Sequence, residues 1–288
     1  MFNSEHFVSI NLWLRKILGV IFLLICKGLI PKTTFCGVKY FIKYLKSSDK
    51  LFILAPGASV NNITENEFLE MSSYDSIGLN YFIFHDFVPT SYLIETHVTA
   101  RGYFDYVAGN SLKFSKIPIL YKGYNSPMKI LEFIKNLYVL RRAKLKRFYL
   151  MKDAYHSDNR IEFEESGVYS NIRREKHDYF YNDVASLLYV LNLGYICGYK
   201  EVILCGFDMS EDYFYSVTKY KDIVSKYPSL IGEKPYSNSI VSNVQKVAKL
   251  LRRIEELSVL FNVRQGKISH FKCQGQLNRT LTQYEMDD

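Results

Sequence analysis

The apolar residues between positions 182 and 200 recur at the spacing of an amphipathic helix. The positions that share one face are Ala185, Leu188, Leu191 and Ile196. Asn182 or Asp183 can cap the start of that helix, because either side chain can accept a hydrogen bond from a free backbone N–H. Gly198 suits the left-handed turn that commonly ends a helix. The sequence therefore predicts a helix that begins near Asn182 and ends by Gly198.

A short apolar run without alternation, residues 201–206, follows this helix. Such a run is typical of a strand that is buried on both faces of a parallel sheet. Phe207 and Asp208 come where this strand should end. Ligands of open α/β sheets bind just outside the carboxyl ends of the strands. Asp208 and Ser210, together with Asp183 at the helix start, therefore lie where chemistry usually takes place.

Earlier in the chain, apolar runs of the same kind are followed by polar residues. The predicted strands are residues 51–55, 76–80, 92–95 and 117–121, with a last strand at 262–268. Ser59, Asn80 and Glu95 end or follow the first three of these runs. Because parallel strands share one carboxyl edge, we expect these side chains and Asp208 to line that edge. The alternative for each of them is an ordinary turn or cap residue.

The first of these strands leads into a turn that contains Gly57 and Ser59. A helix start follows, for which Asn62 or Thr64 can serve as the cap. A strand, a glycine-containing turn and a helix start can together cradle a phosphate. Many α/β turns of this composition bind nothing, so the pattern of strand ends carries more weight than this turn alone.

Strands that alternate with helices predict the α/β fold class. We expect a Rossmann-like, doubly wound and mostly parallel sheet with helices on both faces. A chain of 288 residues is long enough for one large domain with an appendage. We therefore divide the chain into an N-terminal segment, residues 1–48, and an α/β domain, residues 49–288.

The N-terminal segment contains an apolar helix that is short for a membrane span. Its uninterrupted apolar part, residues 17–26, is about half of the roughly 20 residues that a spanning helix needs. Arg15 and Lys16 precede this part, and Lys27 follows it. This order favours an interfacial helix on an anionic membrane, with Trp13 at the level of the headgroups. The alternative is a helix packed against the core of the domain.

The formal net charge of +8 suggests an anionic partner, such as a membrane surface, a nucleotide or a nucleic acid. A basic surface that is merely solvated is the alternative. The five cysteines are dispersed and form no CxxC pair. They indicate a reducing compartment and suggest neither a disulfide framework nor a zinc site. The apolar neighbours of Cys197 and Cys205 predict that both thiols are buried.

Three motifs, in this order, resemble those of the bacterial sialyltransferases that act on lipooligosaccharide. The motifs are LAPGAS at residues 54–59, GLNYF at residues 78–82 and GYKEVILCGFD at residues 198–208. Related bacterial transferases of Kdo, an eight-carbon acidic sugar, are similar as well. The resemblance covers roughly residues 51–268. It implies a nucleotide-binding α/β fold, a CMP-activated acidic sugar as co-substrate, and no metal or other cofactor.

The resemblance also implies a set of donor-binding residues. That set is Gly57, Ser59, Asn80, Gly206, Phe207, Asp208 and Ser210. By this resemblance, the turn at Ser59 would hold the donor phosphate, and Asn80 would contact the nucleotide or its sugar. Residues around Phe207 and Asp208 would meet the cytidine.

The catalytic base of the sialyltransferases, a histidine late in the chain, is not matched here. No histidine occurs between His177 and His270. A retaining transfer instead needs a carboxylate nucleophile and a second group for acid/base work. The retaining Kdo transferases resemble this arrangement, so we predict Asp183 as the nucleophile and Glu95 as the acid/base. The alternative is that Asp183 only caps its helix.

These observations together predict a glycosyltransferase that moves an acidic sugar to a bacterial surface glycan, such as lipopolysaccharide, lipooligosaccharide or capsule. We expect it in the cytoplasm, peripherally bound to the inner membrane. One alternative is a metal-dependent enzyme like the pterin pyrophosphokinases, in which Asp208, Glu211 and Asp212 could bind Mg²⁺. Another is a basic nucleic-acid-binding protein, although no recognised nucleic-acid motif occurs.

Overall fold

Nine strands in the computed structural model form one sheet, and every neighbouring pair runs parallel. The structure describes residues 17, 20, 21, 23–28, 30, 33–95, 101–122, 141, 145, 147–151, 153–155, 180–182, 186–208, 214, 218–227, 244–275 and 277–286. In spatial order the strands of the sheet are β1-β6-β5-β4-β3-β2-β9-β10-β11. Two further strands, β7 and β8, form a separate parallel pair. The strong apolar runs of the sequence thus become central strands.

The strand bounds follow the apolar runs closely. They are β1 (Thr34–Cys36), β2 (Lys50–Leu54), β3 (Asp75–Leu79), β4 (Ser91–Glu95), β5 (Ile119–Lys122), β6 (Phe148–Met151), β7 (Asp153–Tyr155), β8 (Phe180–Asn182), β9 (Glu201–Cys205), β10 (Lys267–Phe271) and β11 (Thr282–Gln283). The α-helices are α1 (Val38–Tyr44), α2 (Glu65–Met71), α3 (Arg101–Gly109), α4 (Ser111–Phe114), α5 (Ser186–Ile196), α6 (Lys221–Lys226), α7 (Val244–Val263) and α8 (Leu277–Thr280). Short 3₁₀ turns cover Ala58–Asn62, Asn80–Phe84 and Thr218–Tyr220.

Helices cover both faces of the sheet, and each face has its own apolar core. On one face, Met71 of α2 and Phe104 of α3 pack with Phe52 of β2. On the other face, Leu188 of α5 and Ile254 of α7 belong to one apolar cluster. This cluster also contains apolar residues of the central strands. The predicted doubly wound α/β fold is therefore confirmed.

The direction of winding reverses between β2 and β9. From β2 the chain moves outward through β3, β4, β5 and β6, whereas β9 lies on the opposite side of β2 and is followed outward by β10. The helices after β2 and β3 lie on one face, and the helices around β9 lie on the other. In this class of fold, the reversal opens a crevice at the carboxyl ends of the two strands, where ligands bind.

The local signals of the sequence are largely reproduced. Thr64 caps α2 in a capping box with Glu67, and Gly198 adopts the left-handed conformation after α5 with φ of +72°. Cys197 and Cys205 are buried thiols as predicted. The predicted last strand at 262–268 is displaced, because α7 continues to Val263 and β10 begins only at Lys267.

The N-terminal segment packs one side of a helix against the domain. Residues 17, 20, 21 and 23–28 are all helical, and Cys26 and Ile30 are buried in the same core as α2 and α3. The Thr33 hydroxyl donates to the Ile30 carbonyl oxygen at 2.7 Å and fixes the chain after this helix. No helix among the residues described here is long and apolar enough to cross a bilayer.

Candidate active site

Glu95, the last residue of β4, is the centre of a buried polar group at the carboxyl edge of the sheet. The residue is only 6% exposed. Lys122 Nζ donates to Glu95 Oε1 at 2.7 Å, and Asn80 Nδ2 donates to Glu95 Oε2 at 3.2 Å. The Ser186 hydroxyl donates to the same Oε2. A buried carboxylate is tolerated when a cation and hydrogen-bond donors compensate its lost hydration, and both are present here.

Asn80 links β3 to β4 through both ends of its side-chain amide. The Glu95 backbone N–H donates to Asn80 Oδ1 at 3.1 Å, while the Asn80 amide nitrogen returns a bond to the Glu95 carboxylate. The backbone of Asn80 has φ of +45°, a left-handed conformation that asparagine accepts more readily than most residues. Tyr103 of α3 donates its hydroxyl to the Asn80 carbonyl at 3.1 Å. The turn after β3 is thus fixed directly against the end of β4.

Lys122 and Ser186 connect this group to the amino end of α5. Lys122 ends β5 and is 4% exposed, and its ammonium nitrogen lies 4.2 Å from the centre of the Tyr189 ring in α5. Ser186 is the first residue of α5. The amino end of a helix carries a partial positive charge that favours a nearby carboxylate. The helix start, the lysine and the asparagine therefore all stabilise negative charge at Glu95.

Gly57 and Gly206 form a second group, at the reversal between β2 and β9. The Gly57 N–H donates to the Gly206 carbonyl oxygen at 2.9 Å. A Cβ atom on Gly57 would lie 2.2 Å from that oxygen, and one on Gly206 would lie 2.2 Å from the carbonyl oxygen of Ala55. Gly206 also has φ of +73°. Only glycine permits this approach of two backbones, because any side chain would collide with backbone atoms.

Asp208 joins three loops that follow adjacent strands of the sheet. Its Oδ2 accepts from the Ser59 N–H at 2.7 Å, and its Oδ1 accepts from the Gln274 N–H at 3.0 Å. Gly275 packs closely against the Asp208 backbone, since a Cβ there would lie 2.8 Å from the carbonyl oxygen. The carboxylate is 6% exposed. Asp208 therefore holds the loop after β2 and the loop after β10 to the loop after β9.

Residues from other loops also form hydrogen bonds with the turn after β2 and the residues that follow it. Phe214 donates its N–H to the Pro56 carbonyl at 3.0 Å and accepts from the Asn61 amide at 3.2 Å. Lys272, just after β10, bonds to the Asn62 carbonyl at 2.8 Å and to the Glu67 carboxylate at 2.6 Å. These contacts come from two different loops, so the turn is held on more than one side.

The Ser59 hydroxyl lies within this turn without a hydrogen-bond partner among the residues the structure covers. The residue is 1% exposed. A buried hydroxyl that finds no partner costs free energy, and such a group in a native site requires an explanation. A ligand atom that accepts a hydrogen bond would supply the missing partner.

Cys273 lies directly beneath the loop that carries Asp208. Its thiol donates to the Leu204 carbonyl at 3.2 Å, and the residue is 2% exposed. Burial raises the pKa of the Cys273 thiol to about 12. A thiol held in its protonated form is a poor nucleophile. Cys273 therefore contributes packing at this edge rather than chemistry.

The predicted site residues thus fall into two groups at one edge of the sheet. Glu95 and Asn80 form one, and Gly57, Ser59, Gly206 and Asp208 form the other. The strands β4, β3, β2 and β9 are consecutive, so the outermost ends are roughly 15 Å apart at about 4.8 Å per strand. Phe207 is half-buried and packs toward the core beside α5. Asp183 and Ser210 lie outside the described residues.

Three contributors to these groups were not predicted from the sequence. Lys122 was missed because the strand was predicted to end at residue 121, one position too early. Ser186 was missed because the helix was predicted to begin near Asn182, whereas β8 occupies residues 180–182 and α5 starts at Ser186. Gln274 contributes its backbone N–H, for which no side-chain signal exists. Across the described part of the chain, no three His, Cys, Asp or Glu residues gather as metal ligands.

Comparison with known proteins gives a distant similarity to a solved structure. No protein-family model matches the chain, and no curated protein is significantly similar to it in sequence. Among solved structures, the α-2,3-sialyltransferase from Campylobacter jejuni in its apo form is similar, with a TM-score of 0.42 and 16% sequence identity. The match covers 81% of this chain and 79% of that chain.

Proposed function

We propose that this chain is a glycosyltransferase that moves an acidic sugar, of the Kdo or sialic acid type, from a CMP-activated donor to a bacterial surface glycan. The observation that carries the proposal is the glycine crossing of Gly57 and Gly206 at the reversal of the sheet. Both glycines belong to sequence motifs that resemble the CMP-sugar transferases. The crossing therefore supports the donor-binding role that the motifs imply.

The donor phosphate would bind at the turn after β2. The N–H groups of Gly57 and Ser59 already donate to the Gly206 carbonyl and the Asp208 carboxylate, so a side-chain donor of this turn would bind the phosphate. The unmatched Ser59 hydroxyl is a donor of the right kind for a phosphate oxygen. Asp208 would position the donor turn, because its two carboxylate oxygens hold Ser59 and Gln274 in place. Phe207 and Ser210 stay candidates for contacts with the nucleoside.

The transfer breaks the bond between the anomeric carbon and the donor phosphate, and CMP leaves with the bonding electron pair. The acceptor hydroxyl oxygen forms the new bond to that carbon and loses its proton. In a retaining reaction the Asp183 carboxylate would first bond to the anomeric carbon and then be displaced. Glu95 would accept the proton from the acceptor hydroxyl.

The surroundings of Glu95 indicate how an acceptor would reach it. Ser186 donates a hydroxyl hydrogen to Glu95 Oε2, and a sugar hydroxyl has the same chemistry. Displacement of Ser186 would bring the acceptor oxygen within hydrogen-bond distance of the carboxylate. Lys122 and Asn80 would hold the carboxylate in place during this exchange. Positioned groups of this kind supply much of the electrostatic stabilisation in enzyme sites.

Isothermal titration calorimetry and thermal unfolding with CMP, in the presence of EDTA, test the donor proposal. We expect CMP to bind without added metal and to raise the melting temperature, because a ligand of the folded state stabilises it. UDP, GDP and ATP serve as comparison ligands, each tested once with EDTA and once with Mn²⁺ in place of EDTA. Binding of UDP that requires Mn²⁺, with no binding of CMP, would contradict the proposal.

A further inference from the structure

The N-terminal helix is apolar on two sides, and among the residues that the structure describes only one of these sides is covered. Leu23, Cys26 and Ile30 pack into the core on one side. At 3.6 residues per turn, the residues at positions 20, 21, 24, 27 and 28 occupy a sector of about 120° on another side. This second sector is defined here as the outer face of the helix.

The outer face exposes three aliphatic side chains in succession. Val20 is 51% exposed, Ile21 is 48% exposed and Leu24 is 63% exposed. Isolated exposed aliphatic residues are ordinary on protein surfaces, but a contiguous apolar face marks a place of contact. Their neighbour Lys27 is also exposed. The outer face therefore combines an apolar surface with a positive charge at its carboxyl-terminal end.

The chemistry of the outer face selects an anionic lipid surface over a second copy of this chain. Three half-exposed side chains offer far less area than the roughly 800 Å² that each partner of a stable dimer buries. In a symmetric pair, Lys27 and its copy would lie at one interface and repel each other. A bilayer requires neither a large area nor a complementary shape. It also supplies negative headgroups to lysine beside a hydrocarbon layer.

We propose that the outer face docks this protein on an anionic membrane surface through Val20, Ile21, Leu24 and Lys27. The aliphatic side chains enter the boundary between headgroups and acyl chains, and Lys27 stays among the phosphates. The inner side of the same helix remains packed on the domain. Docking therefore holds the α/β domain against the membrane rather than tethering it through a free segment.

Co-sedimentation of the full chain with lipid vesicles tests this proposal. We expect binding to phosphatidylcholine vesicles that contain roughly one-third phosphatidylglycerol, and much weaker binding to phosphatidylcholine alone. Raising NaCl from about 0.1 M to about 0.5 M should weaken the binding, because salt screens exposed charges. Equal binding to the two kinds of vesicle, or to neither, would overturn the proposal.

Matched variants locate the contact on the helix. The triple variant Val20→Ser, Ile21→Ser and Leu24→Ser should lower the partition coefficient at least about tenfold. The control is Val259→Ser with Val263→Ser on α7, where the side chains are 61% and 65% exposed and binding should not change. Equal loss in both variants would refute the assignment to the outer face.

Three additional measurements distinguish the possible outcomes. Lys27→Glu reverses the charge without touching the aliphatic residues, so it should weaken binding even if the triple variant folds poorly. Light scattering after gel filtration reports the oligomeric state. A dimer that is lost in the triple variant would mean that the outer face binds a second copy of the chain and not lipid. CMP calorimetry on the same variants separates this proposal from the proposed function, because none of the substituted residues belongs to the donor turn.

Discussion

The Lys122 ammonium group lies 2.7 Å from the Glu95 carboxylate, and the two residues face each other across β5 and β4. Both are almost fully buried, at 4% and 6% exposure. Burial of the two charges removes their hydration, which costs free energy. Their mutual attraction compensates for this cost only when the geometry is good. The loss of one partner therefore leaves an uncompensated charge, which is worse than the loss of both.

Replacing Lys122 alone should destabilise the protein strongly. We expect Lys122→Met to lower the free energy of unfolding by about 3–5 kcal/mol, because the Glu95 carboxylate stays buried without its cation. Glu95→Gln combined with Lys122→Met should recover part of that loss. Urea denaturation of the single and double variants gives the coupling energy between the two side chains. Additive effects would show that the pair is not coupled.

The glycine crossing can be tested against a glycine of nearly the same backbone conformation. Gly206 and Gly198 have φ of +73° and +72°, but a Cβ on Gly198 would meet no atom within 4 Å. Both Gly→Ala variants carry the left-handed cost of about 1–2 kcal/mol. In Gly206→Ala, but not in Gly198→Ala, the new Cβ also collides with the Ala55 carbonyl oxygen. This collision should add about 1–3 kcal/mol to the loss of stability. Thermal or urea unfolding measures the difference.

The same pair of variants reports on donor binding. Gly206→Ala displaces the backbone at the proposed phosphate turn, so CMP affinity should fall by at least about tenfold, or about 1.4 kcal/mol. Gly198→Ala lies at the far end of β9 and should leave CMP affinity unchanged. If both variants bind CMP like the wild type, the donor does not lie at the crossing.

The strand ends were predictable from the sequence because each follows an unbroken apolar run. Asn80 and Glu95 were placed at one edge, but their mutual hydrogen bonds depend on the left-handed turn at Asn80, which no periodicity reveals. Lys122 closes its strand in the structure, although a lysine after an apolar run usually indicates a solvated end. The three-loop role of Asp208 depends on backbone N–H groups far away in the sequence, so only the folded chain shows it.

Asp208 should prove important for both stability and donor binding. Asp208→Ala leaves the N–H groups of Ser59 and Gln274 without their acceptor, which costs about 1–3 kcal/mol at buried Ser59 and less at exposed Gln274, where water can replace the carboxylate. Asp208→Asn keeps one amide oxygen and should lose roughly half as much. CMP affinity should fall in the same order because the Ser59 turn loosens. Unfolding and calorimetry on both variants provide the check, and a stable Asp208→Ala that binds CMP normally would disprove the role.

The catalytic roles proposed for Asp183 and Ser186 predict different effects on turnover when each residue is replaced. Asp183→Asn keeps the size of the side chain but removes the negative charge, so turnover should fall by several orders of magnitude while CMP affinity changes little. Ser186→Ala removes only the hydroxyl that an acceptor is proposed to displace, so its effect on turnover should be smaller. Steady-state transfer assays compare the two. Asp183→Asn turnover within about tenfold of wild type would exclude Asp183 as the nucleophile.

His85 is a buried histidine whose hydrogen bond requires the neutral ring. Its Nδ1 accepts from the Phe87 N–H at 3.0 Å, and its ring stacks on Phe82 with 5.0 Å between the centroids. Burial lowers the pKa of His85 to about 4, with a smaller opposing effect from Asp86 and further lowering by Lys219 and Lys113. In the folded protein His85 therefore stays neutral well below the pH at which a free histidine takes up a proton.

This difference should make the protein less stable in mild acid. Between pH about 6.5 and about 4 the unfolded chain binds a proton at His85 that the folded chain does not, so stability falls as the pH falls, by about 3 kcal/mol over the whole window. His85→Asn retains an acceptor for the Phe87 N–H and cannot titrate, so the loss of stability from pH 7 to pH 5 should shrink. Burial lowers the pKa of His270 too, and that residue should account for part of the remaining slope. Urea denaturation at the two pH values measures the change, and an unaltered slope in His85→Asn would mean that His85 is protonated equally in both states.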